Sequence, residues 1–593
     1  MSTTTGPSGG RPEITARHAV VSTGHYLATE IGIHTLRSGG NAFDAAVAAG
    51  LALQVTKPHQ NGFAGEIPTL LWSASEGRAW ALSGHGTAPR AATLEQFAEM
   101  GVDIIPGDGF LPAIVPPAPA SYLFLLKRFG TLPLAAVLEP AMQLAEDGFA
   151  VSQALHNCIR GAAERLRHDW PTSAEVFLPG GDVPAPGAMF HNPDLARTLG
   201  RMLDAAAGKP RERGIEAAHE LLYRGAVARE ILDFATRFAA PDATGGRHTA
   251  LLSADDLAAY QPKLEEPARI AWRDLEVLKC STWTQGPAML QALGILRAFD
   301  LAAMGPGSVD TIHTVVEAMK LAYADREFCY GDPDAVDVPL ERLLSDAYSA
   351  ERAQLIDPTR ASMELRAGGC APLARYGGIA EVNAAFARAA GDGTAHGDTT
   401  KLDVIDSQGN AVSITTSGGW LQSSPVIPGL GFPLGTRGQM FSLVAGHPNC
   451  LAPGKRPRST LTPTLALKNG RPYMVFGSPG GDCQDQWALQ FLLYVELFGM
   501  GLQEAVEAPT FWSAHWPNSF YPRTCTPGQL HVEGRIPQAV TDELASRGHR
   551  IKREADFAGG NTLACRRAED PSGGAVLSAA ASPRLEPAYA LGY

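Results

Sequence analysis

Long hydrophobic runs are missing from this chain. Nowhere do about 18 uncharged apolar residues follow one another, so no membrane-spanning helix is expected. Positive charge is scarce as well: 49 Lys and Arg face 61 Asp and Glu, for a net charge of −12. A phosphate-binding surface needs clustered Lys and Arg, so nucleic acid is not an expected partner. The eight cysteines (Cys158, Cys280, Cys329, Cys370, Cys450, Cys483, Cys525 and Cys565) form no Cys-x-x-Cys pair, which argues against a zinc ribbon or a disulfide framework. The opening residues carry no apolar stretch of the secretory kind. Free thiols without such a signal predict a reducing, cytoplasmic setting. Residues 1–13 read as a flexible tail. No His-Glu-x-x-His or clustered His/Asp pattern points to a metal, and none is expected. Gly477-Ser-Pro-Gly480 is not a Gly-x-Ser-x-Gly elbow. Gly429-Leu-Gly-Phe-Pro-Leu434 lacks the third glycine of a dinucleotide fingerprint. No repeat of fixed period is visible.

What is present is ordinary globular material: 593 residues, 45% apolar and 19% charged, enough for a large core. Residues 18–24 predict a short strand. Residues 26–54 predict helix, interrupted at Ser38-Gly-Gly-Asn41, where glycine and asparagine end one helix and start another. Residues 119–160 read as largely helical, and residues 308–328 as an amphipathic helix capped by Ser308. Leu402–Asp406 and Ala411–Ser417 read as two strands joined by the turn Ser407-Gln-Gly-Asn410. Lys468-Asn-Gly-Arg471 joins a second strand pair, and Gln484 opens a helix that runs to about Leu497. Asp325 and Arg326 read as a buried ion pair.

The most informative stretch is Gly397-Asp-Thr-Thr-Lys-Leu-Asp-Val-Ile-Asp406. Residues 386–398 before it are small, polar and glycine-rich, which predicts an exposed loop of the kind a chain tolerates being cut in. A threonine hydroxyl alone is a poor nucleophile. If the chain is cut before Thr399, the new α-amine, with an ordinary pKa of about 7.7–8.0, can take the hydroxyl proton at neutral pH. Asp398–Thr399 is therefore the candidate cleavage site, and Thr399 the candidate nucleophile.

Five segments, in order, carry a family pattern. They are Ser38-Gly-Gly-Asn-Ala-Phe-Asp-Ala-Ala-Val, Ala324-Asp-Arg with Gly331-Asp-Pro-Asp, Thr399-Thr400 before the Gly409-Asn-Ala-Val hairpin, Gly454-Lys-Arg-Pro, and Gly480-Gly481. Together they resemble the γ-glutamyltranspeptidase family of N-terminal-nucleophile hydrolases over roughly residues 14–593. The resemblance implies an α/β fold, a four-layer αββα sandwich. It implies a precursor cut into a large subunit, 14–398 after the tail, and a small subunit, 399–593, which intertwine in one domain. It implies no cofactor, and it leaves open a homo-oligomer of such heterodimers. By the same resemblance Thr399 is the nucleophile, Ser417 matches a threonine that touches the nucleophile's amine, and Gly480 and Gly481 match the oxyanion-hole glycines. Adjacent glycines let backbone N–H groups approach a developing oxyanion closely.

The departures concern recognition of the substrate. The family's glutamate-binding arginine, in an Arg-Glu-x-Ala-Pro stretch, is His85 here. The family's Asn-Gln-Met-Asp-Asp-Phe aligns with Thr436-Arg-Gly-Gln-Met-Phe441, where Met440 cannot pair with an ammonium and Arg437 would repel one. Gly419 replaces an asparagine, while Ser459 and Thr460 replace a serine pair conservatively. His85, Arg437, Ser459, Thr460 and Trp420 are thus the candidate substrate contacts, with Arg437 free to grip a carboxylate and Trp420 to close a small or flat pocket. The expected function is a self-cleaving amidohydrolase of small-molecule amides whose acyl group is not glutamyl, as in oxamate-type amidohydrolases or acylases. Two rivals stand beside it: a true γ-glutamyl hydrolase or transferase with altered recognition, and an uncleaved, non-catalytic binding protein.

Overall fold

A computed structural model describes residues 10–368, 370, 398–570 and 574–593. Two seven-stranded sheets face one another. The first runs, edge to edge, through Tyr589–Gly592, Ala19–Thr23, Thr399–Asp406, Ala411–Ser417, Thr69–Ser73, Arg78–Leu82 and Leu264–Glu265. The second runs through Ile14–Ala16, Ala575–Ala581, Leu563–Glu569, Arg471–Gly477, Thr464–Lys468, Leu275–Lys279 and Ala268–Trp272. Every pairing within the two sheets is antiparallel.

The strands are apolar on both faces because both faces are covered. Successive side chains point to opposite faces. Val21, Leu71, Val404, Val412 and Ile414 point outward into a core shared with helices Tyr26–Arg37, Ala42–Thr56, Ala118–Phe129 and Leu134–Asp147. Their neighbours Val20, Leu70, Ile405 and Ala411 point inward and meet Leu278, Leu465, Val475, Cys565 and Ala579 of the second sheet. On that sheet's outer face Val277, Ala466, Met474, Phe476 and Ala564 pack under helices Pro287–Leu296, Val309–Cys329 and Gln484–Glu496. Helix, sheet, sheet, helix is the expected αββα sandwich.

The sequence motifs fix this frame. Asn41 and Asp44 form a capping box at the start of helix Ala42–Thr56. The exposed-donor end of that helix then holds Asp406: Ala42 N donates to its carboxylate at 2.9 Å. The Gly-Gly-Asn-Ala run thus anchors the far end of the strand that begins at Thr399. Arg456 of the Gly-Lys-Arg-Pro segment pairs with Asp332 at 2.6 Å and with Asp334 at 3.0 Å, so two motifs far apart in sequence are one network.

Several expectations change. Helix Val309–Cys329 is buried on all sides from Thr311 to Cys329, so its polar residues face partners rather than water. Lys320, for example, pairs with Glu317 at 2.7 Å. Asp325 and Arg326 do not pair with each other. Successive helical residues diverge by about a quarter turn or more, so Arg326 reaches Asp482 while Asp325 bonds Gln291, Tyr348 and the Gly368 amide. Cys329 and Cys370 are joined as a disulfide, with Cα atoms 5.8 Å apart, so these two are not free thiols. Their separation of 41 residues gives no sequence signal. Arg11 and Glu13, read as tail, hold Glu507 and the Leu502 amide. The loop expected over 386–398 lies, Asp398 apart, outside the described residues. Among the described residues no helix is long and apolar enough to cross a membrane, and no cluster of His, Cys, Asp and Glu could hold a metal.

Candidate active site

Thr399 opens its strand and is 1% exposed. Alternation along the strand turns Thr399, like Lys401 and Ile405, toward the second sheet. Its ladder partner is Ser417, the last residue of the neighbouring strand. The register brings two hydroxyls together: Thr399 Oγ1 donates to Ser417 Oγ at 3.3 Å, and Ser417 Oγ donates to the Asp398 carbonyl oxygen at 2.7 Å. The amide of Thr399 donates to Asp398 Oδ1 at 2.7 Å, and Gln60 Nε2 donates to Oδ2 at 3.0 Å. Burial raises the Asp398 carboxyl above the usual aspartate range, against the pull of His59, the Thr399 amide, Lys57 and Gln60.

The opposing wall comes from the second sheet. Strand Arg471–Gly477 ends against Lys401: a Cβ added at Gly477 would sit 2.7 Å from the lysine Cε. The chain then turns through Gly480 and Gly481, both at positive φ (123° and 55°). Such conformations favour glycine. Neither amide N–H donates to a protein acceptor among the described residues. Asp482 fixes the turn, since its carboxylate accepts from Ser519 N and Ser519 Oγ, both at 2.7 Å, and from Arg326. Its backbone oxygen accepts from Tyr323 at 2.7 Å.

Glu66 joins the Thr399–Ser417 pair to Arg437 and its neighbours. Its backbone bridges to Ser417 in both directions, Glu66 N to Ser417 O at 2.8 Å and Ser417 N to Glu66 O at 3.2 Å. Its carboxylate Oε2 accepts from Arg437 Nε at 3.0 Å and Nη2 at 2.8 Å. Arg437, 1% exposed, lies over the rings of Trp420 and Phe520, with Nη1 directed at the Met440 sulfur. Trp420, Met440 and Phe520 form one small apolar cluster, and Phe520 reaches Gly481, where an added Cβ would meet its ring at 3.1 Å. A continuous series of contacts therefore runs from Thr399 through Ser417, Glu66, Arg437 and Phe520 to Gly481.

The other candidates lie outside that series. His85 is buried, bonds the Pro457 carbonyl through Nε2 at 2.7 Å and stacks on Trp283. Burial, with the Arg437 charge second, pushes its pKa down to about 3, so the ring is neutral at ordinary pH. The Ser459 hydroxyl accepts from Leu461 N, and its backbone holds Trp283 and Gln285. Gln285 in turn donates to the Gly481 carbonyl at 3.3 Å. Thr460 Oγ1 is buried without a protein partner among the described residues. Glu66, Gln60, Asp482 and Phe520 were invisible in the sequence. Each acts through a partner scores or hundreds of residues away, and no local spacing marks such a pair.

A family model described as Gamma-glutamyltranspeptidase matches residues 28–591. The Acylase ACY 1 proenzyme of Pseudomonas sp. (strain SE83) is 35% identical over 552 residues, 91% of this chain and 88% of the relative. The solved structure of LmbA2991HD shares 42% identity at a TM-score of 0.91 and covers 100% of both chains. The cephalosporin acylase from Bacillus halodurans shares 30% at a TM-score of 0.82, covering 100% of this chain and 99% of its own. On this matched length and fold, the chain belongs to the γ-glutamyltranspeptidase family.

Proposed function

We propose that this protein is a self-cleaving amidohydrolase that cuts itself between Asp398 and Thr399 and then hydrolyses small amides through an N-terminal threonine acyl-enzyme. One observation carries the reading: the Ser417 hydroxyl joins the Thr399 hydroxyl to the Asp398 carbonyl, at 3.3 and 2.7 Å. In the precursor, Thr399 Oγ1 adds to that carbonyl carbon, and Ser417 supports the charge that develops on its oxygen. The C–N bond breaks, the hydroxyl proton ends on the nitrogen, and an ester remains. Water then hydrolyses the ester, leaving residues 1–398 and 399–593 as two subunits. In the mature enzyme the freed α-amine takes the Thr399 proton as the hydroxyl attacks a substrate amide. The unpartnered N–H groups of Gly480 and Gly481 face the oxyanion, the amine leaves, and water releases the acid. Apart from the substrate and water, these steps use groups of the chain.

A second observation bears on the acyl group. Glu66 neutralises Arg437 and holds it against Trp420 and Phe520, while His85 is uncharged and committed to Pro457. A glutamyl zwitterion needs paired charges for its carboxylate and its ammonium. Here it meets an apolar wall and a guanidinium already satisfied on one edge. A desolvated, unpaired charge is costly. The site therefore suits an uncharged or flat acyl group better than glutamyl.

The test begins with intact mass under denaturing conditions. Two fragments split at Asp398–Thr399 in wild type, with an uncut Thr399→Ala, are expected. A wild-type chain that stays whole after long incubation at neutral pH would bring the non-catalytic binding protein to the front. A substrate panel then sets simple acyl amides and oxamate against γ-glutamyl-p-nitroanilide and glutathione. Turnover of the glutamyl pair alone would sink the non-glutamyl assignment.

A further inference from the structure

The scissile bond is gripped at both ends by different groups. Its carbonyl oxygen accepts from Ser417, and its N–H donates to the side chain of Asp398, the residue that supplies the carbonyl. The second oxygen of that carboxylate accepts from Gln60 Nε2, so both oxygens receive N–H donors that cannot accept in return. That arrangement is the one an ionised carboxylate makes.

We infer that Asp398 is a single-use catalytic residue of self-cleavage: its carboxylate, aimed by Gln60 as the positioning residue, holds the scissile nitrogen and stabilises the amine as it forms. The inference rests on the cleavage reading above. While the C–N bond is intact, the nitrogen carries no basic lone pair and the hydrogen bond is an ordinary amide contact. As Thr399 Oγ1 bonds to the carbonyl carbon, the nitrogen loses amide resonance and becomes basic. It takes up the proton that leaves the hydroxyl, and its partial positive charge strengthens the bond to Oδ1. The contact is thus tighter in the transition state than in the precursor, which is what accelerates a step. After ester hydrolysis Asp398 is the C-terminal residue of the large subunit and is no longer bonded to Thr399, so the same group has no fixed place in later turnovers.

Burial raises the Asp398 carboxyl, while His59, the Thr399 amide, Lys57 and Gln60 pull it back toward the ionised form, and no charged group neutralises it by direct contact among the described residues. Lys57 and His59 are both bound to Glu586, at 2.8 and 3.0 Å, and so stand as a compensated cluster beside Gln60. Burial, together with Lys57, keeps His25 in that cluster down to about 4, hence uncharged at neutral pH. Cys158, on the helix Gln153–His168, lies near enough to feel the Asp398 charge. Burial and the Asp398 charge push its thiol up to about 12. Among the described groups, the Asp398 carboxyl is the one that accepts from the scissile N–H.

The experiment follows self-cleavage from freshly synthesised full-length chain by intact mass, between about pH 4 and pH 8. Wild type, Asp398→Asn, Asp398→Glu, Gln60→Leu and Thr399→Ala are compared. Wild-type cleavage is expected to slow on acidification, with its limb above the ordinary aspartate range because burial raises that carboxyl. Asp398→Asn is expected to cleave on the order of 10- to 100-fold more slowly, the worth of a charge-assisted hydrogen bond, and to lose the limb. Asp398→Glu recovers part of both. Gln60→Leu moves the limb to higher pH by removing a donor that favours the ionised form. A wild-type chain that cleaves with no acid limb overturns the inference whatever the variants do. So does an Asp398→Asn chain that cleaves at the wild-type rate with the wild-type limb. An uncut wild type fails the cleavage reading itself and takes this inference with it.

Discussion

Ser417 stands directly opposite Thr399 in the strand ladder, and its hydroxyl accepts the Thr399 proton at 3.3 Å. Two strands, not loops, set that distance, and both are buried along their whole length. Ser417→Ala keeps the backbone pairing and removes the hydroxyl that accepts from Thr399 Oγ1 and donates to the Asp398 carbonyl. Self-cleavage of Ser417→Ala is expected to fall by about 10²–10³, the usual cost of losing one oxyanion donor. Ser417→Thr keeps the hydroxyl and should recover much of the rate. A time course of subunit appearance by denaturing mass measurement decides it, and an alanine variant that cleaves normally would remove Ser417 from the mechanism.

Gly480 offers a sharper test of the mature site than of cleavage. A Cβ there would lie 2.3 Å from the Trp487 ring, at a φ of 123° that side-chain-bearing residues rarely adopt. Gly480→Ala must therefore move the turn and the amide it carries. The expected result is a drop in kcat/KM of about 10²–10³ per cleaved subunit. Gly470→Ala serves as the control. It changes a glycine at positive φ in a hairpin turn with open space around it, and leaves the turn at Gly480 untouched. Its kinetics should match wild type.

Local elements of this molecule were legible in the sequence, and long-range partners were not. The break at Ser38-Gly-Gly-Asn41 appears as two helices, Tyr26–Arg37 and Ala42–Thr56, because Asn41 caps the second through a short-range bond. The Thr399 hairpin and the Lys468–Arg471 turn were likewise local problems of alternation and turn chemistry, and their strands close within a residue or three of the expected limits. The reading of Arg437 stayed open because its partner, Glu66, lies 371 residues away. Nothing in Gly62-Phe-Ala-Gly-Glu66 marks that glutamate as a buried counter-ion. The helix Val309–Cys329 was misread for the same reason. Its polar residues look solvated until the elements that cover them are in place.

Glu586 gives a pH dependence of stability with a definite sign. Burial alone would raise its pKa, but the His59 hydrogen bond and the Lys57 charge overcome burial and hold it well below the usual glutamate range. A carboxyl depressed in the folded state contributes stability that is complete above its unfolded pKa, about 4.3, and is lost as pH falls below it. Denaturant unfolding of uncut Thr399→Ala chain should therefore lose stability as pH drops below about 4.3. Glu586→Gln should be less stable at neutral pH, because it leaves Lys57 buried against a neutral group. Its curve should be flatter across the acid range. Parallel curves for the two chains would show that Glu586 is not linked to folding.

Arg437 and Glu66 are the pair on which the recognition reading turns. Both are buried, and among the described residues Glu66 Oε1 has no protein partner and Arg437 is the one charged group that pairs with the carboxylate. Arg437→Met should cost about 3–5 kcal/mol in denaturant unfolding, because it strands a desolvated carboxylate. Glu66→Gln should cost less, since the amide oxygen still accepts from the guanidinium. The double variant Glu66→Gln/Arg437→Met removes both charges and should recover part of the single Arg437→Met loss, giving a coupling of about 0.5–3 kcal/mol. A double variant whose loss equals the sum of the singles would mean that the two residues do not stabilise each other. The same variants read the substrate class. If Arg437 serves as a neutralised wall beside Trp420 and Phe520, Arg437→Met should alter KM for uncharged acyl amides by a small factor. If it instead grips a substrate carboxylate with Nη1, turnover of carboxylate-bearing amides should collapse while uncharged ones persist. The two bonds from Arg437 Nε and Nη2 to Glu66 Oε2, on the opposite edge of the guanidinium, favour the first outcome.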